Sequence, residues 1–326
     1  MGREKSDGAM DCEKRVNRTR PKEAGMSDDG WFVDGDDADR YDRIRTGSAS
    51  NPADWPGRAV EAGFAVDEDA YYDDLHDATM AATRAAVTAR EQADDQQLVH
   101  AIRALDDCRR TANELAERLA EWGGTVDPEA GTGIEYARRL VERERERAHE
   151  AADESEDEDD TDVSLELDDP LEPIISLARR VESLAAEADH LETYVERHAP
   201  VVAPNLSALA GPLLTARLLS LAGGLEALAK KPSGTVQVLG AEEALFAHLR
   251  GHASSPKHGI IFTHEAVRGT RLDDRGSAAR ALAGKLSIAA RIDHYSGEYR
   301  PELEAELSER IETIQARADD GGSDDA

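Results

Sequence analysis

From Ile174 onward, Leu177, Val181, Leu184, Ala188, Leu191, Val195 and His198 follow at alternating steps of three and four residues without a break. A repeat averaging 3.5 residues keeps one seam of an α-helix turned towards a partner helix, so this stretch predicts a coiled coil. A matching stripe lies upstream. Leu98, Ile102, Leu105, Ala112, Leu115, Leu119 and Trp122 recur at three, four or seven, and Gly123-Gly124 ends the run. Together the segments 92–122 and 171–198 predict an antiparallel coiled-coil hairpin. Between them, Ile134 to Ala151 reads as a solvated helix, with Arg and Glu alternating from Glu142 to Arg147. The ten residues Asp153 to Asp162 include eight acids and no base, so self-repulsion predicts a disordered insertion, bounded at 150–170.

The hairpin does not account for the rest of the apolar residues. Leu, Ile, Val and Phe number 60 in 326 residues, and 34 of them fall within residues 171–300. The packed core is therefore expected in the C-terminal half, with helices near 204–222, 241–250, 275–294 and 302–316. Short apolar pieces before residue 90, Trp31-Phe32-Val33 and Phe64-Ala65-Val66, stand between Gly, Pro and Asp turn signals and read as a small α/β module. No apolar run is long enough to cross a membrane and the first residues lack an apolar signal core, so the expected location is cytoplasmic. Two cysteines, Cys12 and Cys108, build neither a disulfide framework nor a thiolate zinc site.

Charge separates the chain more sharply than hydropathy does. The formal net charge is −30, from 39 basic and 69 acidic residues, which argues against coating bare nucleic acid with the whole surface. Arginine outnumbers lysine 32 to 7. Acid excess with scarce lysine suggests an extreme halophile. Yet residues 200–300 hold 12 bases and 8 acids. A positive region inside so negative a chain calls for a local reason, and a phosphate backbone is the leading one.

Within that region Ser255-Pro256-Lys257-His258-Gly259 precedes Ile260-Ile261-Phe262. Pro restricts the residue before it and Gly permits close backbone approach, so Lys257 and His258 are candidates for a loop tip facing a phosphate and an unstacked base. An ordinary surface loop is the plain alternative. Arg250, Arg275, Arg280, Lys285 and Arg291 are further cationic candidates, and Arg280 and Arg291 are about three helical turns apart on one face. His248 and His252 stand at a spacing zinc sites use, so a histidine-cluster metal enzyme is the other class to weigh, although no carboxylate or thiol completes a ligand set. No nucleophile elbow, phosphate-binding loop or dinucleotide fingerprint is present, so the expectation is a non-catalytic chain with no cofactor.

Ala203-Pro204-Asn205-Leu206-Ser207-Ala208-Leu209, then Val238-Leu239-Gly240-Ala241-Glu242 with Ala244-Leu245-Phe246, then Pro256-Lys257-His258-Gly259-Ile260-Ile261-Phe262 resemble the Nop domain in order and spacing. Ala279-Arg280-Ala281-Leu282-Ala283-Gly284-Lys285, Ala289-Ala290-Arg291-Ile292-Asp293 and Ser296-Gly297-Glu298 extend the likeness. With the heptads before it, the chain resembles the archaeal Nop-domain scaffold family of the box C/D guide-RNA ribonucleoprotein, of Nop56/Nop58 type, over residues 92–316. The resemblance implies a mainly α fold: a self-associating antiparallel coiled-coil hairpin and an all-α Nop domain, behind a small α/β N-terminal module that binds fibrillarin. It also implies three partners, namely box C/D guide RNA, a kink-turn-binding ribosomal-type protein and the fibrillarin methyltransferase, with RNA reached through the loop of Lys257 and His258. The boundaries expected are 1–25 for a disordered or non-native start, 26–90 for the fibrillarin-binding-type module, 91–199 for the coiled coil, 200–317 for the Nop domain and 318–326 for a disordered tail.

Overall fold

The structure, a computed structural model, describes residues 30–33, 35–47, 53–154 and 171–320, with only the backbone described at 151–154 and 317–320. All the regular structure among the described residues is helical. Contacts divide the chain between Glu91 and Gln92 into two compact units.

The first unit holds α1 (Asp37–Thr46), α2 (Trp55–Glu61) and α3 (Glu68–Glu91). Asp36 and Asp54 cap the first two, each side chain accepting an N–H of the opening turn. Strands expected in this region are not found among the described residues. Trp31-Phe32-Val33 forms a turn, closed by Val33 N–H donating to the Gly30 carbonyl at 3.3 Å, and Phe64 to Val66 forms the loop from α2 to α3. The two aromatic pieces work as plugs: Trp31 meets Phe64 edge to face at 5.2 Å and donates its indole N–H to the Tyr71 hydroxyl at 3.3 Å. Phe32, Ala59, Ala65 and Tyr71 are buried beneath them, whereas Val66 is 86% exposed. Each apolar tripeptide supplies only one or two inward side chains, which a turn presents as well as a strand.

In the second unit α4 (Asp94–Gly123) and α6 (Glu172–Val202) pack along their length. Leu98, Ile102 and Leu105 share a core with Val195, Ala199 and Val202, while Ala116 and Leu119 share one with Ile174, Ala178 and Val181, so the helices run antiparallel. An Arg109–Glu192 ion pair crosses between them. The buried line of α6 is Ile174, Ala178, Val181, Ala185, Ala188, Val195, Ala199 and Val202. Of the expected seam, Ile174, Val181, Ala188 and Val195 lie on this line, whereas Leu177, Leu184 and Leu191 flank it half-buried and His198 is exposed. On α4, Leu98, Ile102, Leu105, Ala112 and Leu119 are buried, Leu115 is half-buried, and Trp122 is 43% exposed. Alanines let the two backbones approach, and the longer leucines serve the margins.

A third helix explains why Leu115 and Leu177 at the margins are apolar. Helix α5 (Gly133–Glu154) buries Tyr136, Ala137, Leu140 and Val141 against α4 and α6, so its first half is a core element and not a solvated helix. Its Glu142 to Arg147 stretch does face solvent, apart from Glu144, which pairs with Arg179. The helix runs on to Glu154, so the first residues of the expected disordered insertion are helical, carried by the Ala151-Ala152 continuation. The remainder of that acidic segment, the start 1–25 and most of the tail lie outside the described residues. At the exposed end Asp127 accepts from Arg143 at 2.9 Å, and that hydrogen bond holds its carboxyl below the ordinary range.

The globular body follows without a packing boundary, because one core runs from the base of the hairpin through it. Its helices are α7 (Pro204–Ala210), α8 (Pro212–Ala222), α9 (Leu225–Ala229), α10 (Ser233–Val238), α11 (Glu242–Leu249), α12 (Glu265–Arg268), α13 (Arg275–Tyr295) and α14 (Glu302–Asp320), with a 3-10 turn at Ile260–Thr263. Because α14 reaches Asp320, the first residues of the expected disordered tail are helical. Polar ties fix the hairpin to the body: Asp106 pairs with Arg217 at 2.6 Å, and Asp95 accepts the Leu225 N–H at 2.8 Å. Helix α13 is the central strut, touching α7, α9, α10, α12 and α14.

Candidate nucleic-acid interface

The loop before the 3-10 turn is braced from two sides. Gln237 donates its side-chain amide to the Lys257 carbonyl at 2.8 Å, Gly259 N–H donates to the Gln237 carbonyl at 2.9 Å, and Ile260 N–H donates to the Leu239 carbonyl at 2.8 Å. A Cβ at Gly259 would lie 2.1 Å from the Leu239 oxygen, so this rung admits glycine alone. On the other side the His258 ring stacks on Phe262 with centroids 4.6 Å apart and planes 18° apart. The Arg275 guanidinium lies over the same Phe262 ring at 5.2 Å and donates to the Thr270 carbonyl at 3.1 Å.

This bracing fixes what each candidate cation does. Lys257 is exposed, with its aliphatic stem 3.8 Å from where a Cβ on Gly276 would sit. Burial, and then the charges of Arg275 and Lys257, push the His258 pKa down, so at neutral pH the tip presents one cation beside one uncharged hydrogen-bonding ring. The unfolded chain then takes up a proton at this histidine more readily than the folded one, and stability falls as pH drops through the ordinary histidine range. An NMR titration is expected to place the His258 midpoint below that range. A midpoint at or above it contradicts the bracing.

The other cations separate into two groups. Arg250 caps the end of α11 and is exposed, and Arg280 is exposed with no ion pair or hydrogen bond to any described residue. Arg275 serves the fold of the loop and does not stand free for a ligand. Lys285 is engaged in an ion pair with Glu306 of α14, and Arg291 donates through Nε to the Ala229 carbonyl at 3.2 Å. Sequence shows charge but not the partner that consumes it. It also passed over Gln237, for which no local signal exists, and the exposed apolar residues Phe246 (55%) and Leu249 (71%) of α11.

The histidines do not gather. His248 meets the Ala253 carbonyl at 3.0 Å, and His264 caps α12 while its other ring nitrogen meets the Leu209 carbonyl at 2.9 Å. Among the described residues no group of three or more His, Cys, Asp or Glu side chains is placed to hold a metal ion. Among them, too, no helix is long and apolar enough to cross a membrane.

An antiparallel hairpin seated on an all-α body that holds out a braced cationic loop defines a helical binding protein. Its residues 104–314 match the profile of the Nop family, described as "snoRNA binding domain, fibrillarin", and the chain belongs to that family. It is 35% identical over 273 residues to a NOP5 family protein of Methanocaldococcus jannaschii, covering 79% of this chain and 66% of that one. Nucleolar protein 56 of Schizosaccharomyces pombe is 35% identical over 238 residues (66% of this chain, 47% of that protein), and nucleolar protein 58 of Scheffersomyces stipitis 32% over 245 (68% and 48%). The chain thus spans just under two thirds of the archaeal relative and about half of the fungal ones. A crystal structure of a fibrillarin/Nop5p complex aligns with TM-score 0.46 at 23% identity, over 87% of this chain and 98% of that one.

Proposed function

We propose that the chain is a non-catalytic scaffold of a box C/D guide ribonucleoprotein. In this reading it grips guide RNA together with its kink-turn protein through the Lys257–His258 loop, and it positions fibrillarin for 2′-O-methylation of the paired target. The observation that carries the reading is the braced loop: a free lysine and an uncharged ring held rigidly at the tip of a net-positive segment in a chain of net charge −30. Phosphate next to an unstacked base is the ligand such a pair suits. Membership of a family described as "snoRNA binding domain, fibrillarin" supports the RNA and fibrillarin partners, and the kink-turn protein comes from the motif resemblance. A cytoplasmic site of action and a setting of concentrated salt belong to the same reading.

Reconstitution tests it. Guide RNA, kink-turn protein, fibrillarin and S-adenosylmethionine are expected to methylate a paired target only when this chain is added, and equal methylation without it contradicts the proposal. A Nop-domain protein that grips RNA without recruiting a methyltransferase is the second reading, favoured by the small first unit, whose described residues form three helices and one aromatic core. Fibrillarin capture by the full chain, lost on removal of residues 26–90, decides against it.

Self-association through the hairpin is part of the proposal. Leu184 and Leu191 flank the buried line of α6 and are only half-buried within one chain. Leu184→Glu with Leu191→Glu is expected to give monomers by light scattering, with the helical content of the body retained. An unchanged mass contradicts the assignment.

A further inference from the structure

Where α4 gives way to α5, an open groove of about 160 Å³ is left between the connecting loop, α5 and the start of α6. Val126 of the loop, Leu140 of α5, and Leu171 and Ile175 of α6 give it an apolar floor. An apolar cavity of about 150 Å³ takes a group as large as benzene. The packing of the three helices leaves Val126 39% exposed here and Leu171 and Ile175 half-buried. The rim is charged. Asp127 is held by Arg143 and Glu144 by Arg179, whereas Arg147 is exposed and makes no ion pair or hydrogen bond with any described residue.

The chain that leads into α6 carries the complementary pattern. Residues 155–170, outside the described residues, hold nine acids and no base, and among them Val163, Leu165 and Leu167 stand at every second position. Such alternation sets three apolar side chains on one face of an extended segment, with Ser164 and Glu166 on the other. The reach needed is short. Leu167 is four residues before Leu171, itself part of the groove, and so lies within about 14 Å of it, and Val163 within about 28 Å. The other end returns to the same place: Arg138 pairs with Asp189 and Arg145 with Glu182, so α5 runs antiparallel to α6 and its last turns lead back towards the start of α6. Tethered at both ends, the segment meets the groove at a high effective concentration.

We propose that residues 163–167 of the same chain lie in this groove, with their apolar face on Val126, Leu140 and Ile175 and the flanking carboxylates at Arg147. The contact adds a fourth element to the three-helix end of the hairpin and needs neither RNA nor a protein partner.

Single cysteines in the full-length chain test it, with iodoacetamide alkylation followed peptide by peptide so that Cys12 and Cys108 are read separately. A thiol packed among apolar groups reacts slowly. In molar salt, which screens the effect of neighbouring charges on the thiol, Leu165→Cys and Leu167→Cys are expected to react about tenfold more slowly than Ser164→Cys, at every protein concentration. Val126→Asp, which puts a charge on the floor, is expected to abolish that difference. Arg147→Glu, at an exposed helix position, repeats the test from the rim and is expected to raise the Leu165→Cys rate about threefold. Equal rates at all three cysteines overturn the proposal. A difference that fades on dilution also overturns it, because a second copy then occupies the groove. So does a difference that survives both groove variants with helical content retained, because the segment then packs elsewhere.

Discussion

Asp293→Ala is expected to destabilise the second unit by about 3–5 kcal/mol, because it leaves several buried donors without an acceptor. The carboxylate has no solvent exposure and accepts the backbone N–H of Asn205 at 3.0 Å, the Asn205 side-chain amide at 2.7 Å and the Leu206 N–H at 2.9 Å. It thus caps the start of α7 from the far end of α13. Asn205 continues the network, donating to the Glu298 carbonyl at 2.8 Å and accepting the Arg300 N–H at 2.7 Å, which anchors the turn into α14. A melting temperature lower by about 10 °C follows for a unit of this size. Asp293→Asn keeps one acceptor but turns an amide towards the Leu206 N–H, so an intermediate loss is expected. An unchanged melting temperature for both variants contradicts the role assigned to the network.

Lys257→Ala with His258→Ala is expected to weaken capture of the preformed RNA–protein complex by about a hundredfold or more, from roughly 1–3 kcal/mol at each contact. Lys257 is exposed and His258 is held by a single stack, so the melting temperature is expected to move by only a few degrees. The proposed function assigns fibrillarin binding and self-association to other parts of the chain, so both are expected to persist. Arg275→Gln provides an instructive comparison: it removes the guanidinium over Phe262 without touching the tip, and the His258 midpoint is expected to rise. Full capture by the double variant contradicts the interface.

Much of this architecture was legible because period and motif are local properties. The hairpin is written in the 3.5-residue repeat, and α13 and α14 in runs of Leu, Ala and Ile between Gly and Pro. In three of the four pairs of the α6 seam the buried residue lies one position further on, at Ala178, Ala185 and Ala199 in place of Leu177, Leu184 and His198, because a hydropathy count gives alanine little weight. In the structure close helix approach favours Ala178, Ala185 and Ala199 inside, while of the leucines outside Leu177 packs with the core that α5 completes and Leu191 against the core of the body. Helix α5 hides its role for the same reason: four buried residues precede a long charged run that dominates the pattern. Short helices such as α9, α10 and α12 carry too few residues to show a period, and tertiary contacts with α13 make them.

Among the site residues, the loop tip was legible because Pro256 and Gly259 flank it, and the structure supplies the reason for Gly259 in the Leu239 carbonyl. The fates of Arg275, Lys285 and Arg291 were not legible, since each partner lies elsewhere: the Thr270 carbonyl and the Phe262 ring, Glu306, and the Ala229 carbonyl. A surface so acidic also shapes how any RNA can be held. In molar salt the Debye length is about 3 Å, so long-range attraction is screened and affinity rests on close contacts shared with a second protein.

The most direct measurement is a set of gel shifts at molar salt with the unmutated chain and three probes: kink-turn RNA alone, its kink-turn protein alone, and the two preassembled. Tight binding is expected only for the preassembled complex, with weak binding of naked RNA because half of the recognised surface is then missing and the net charge of −30 opposes it. Naked RNA bound as tightly as the complex, or no binding to the complex at all, would contradict the account of this chain as a scaffold that reads RNA and protein together.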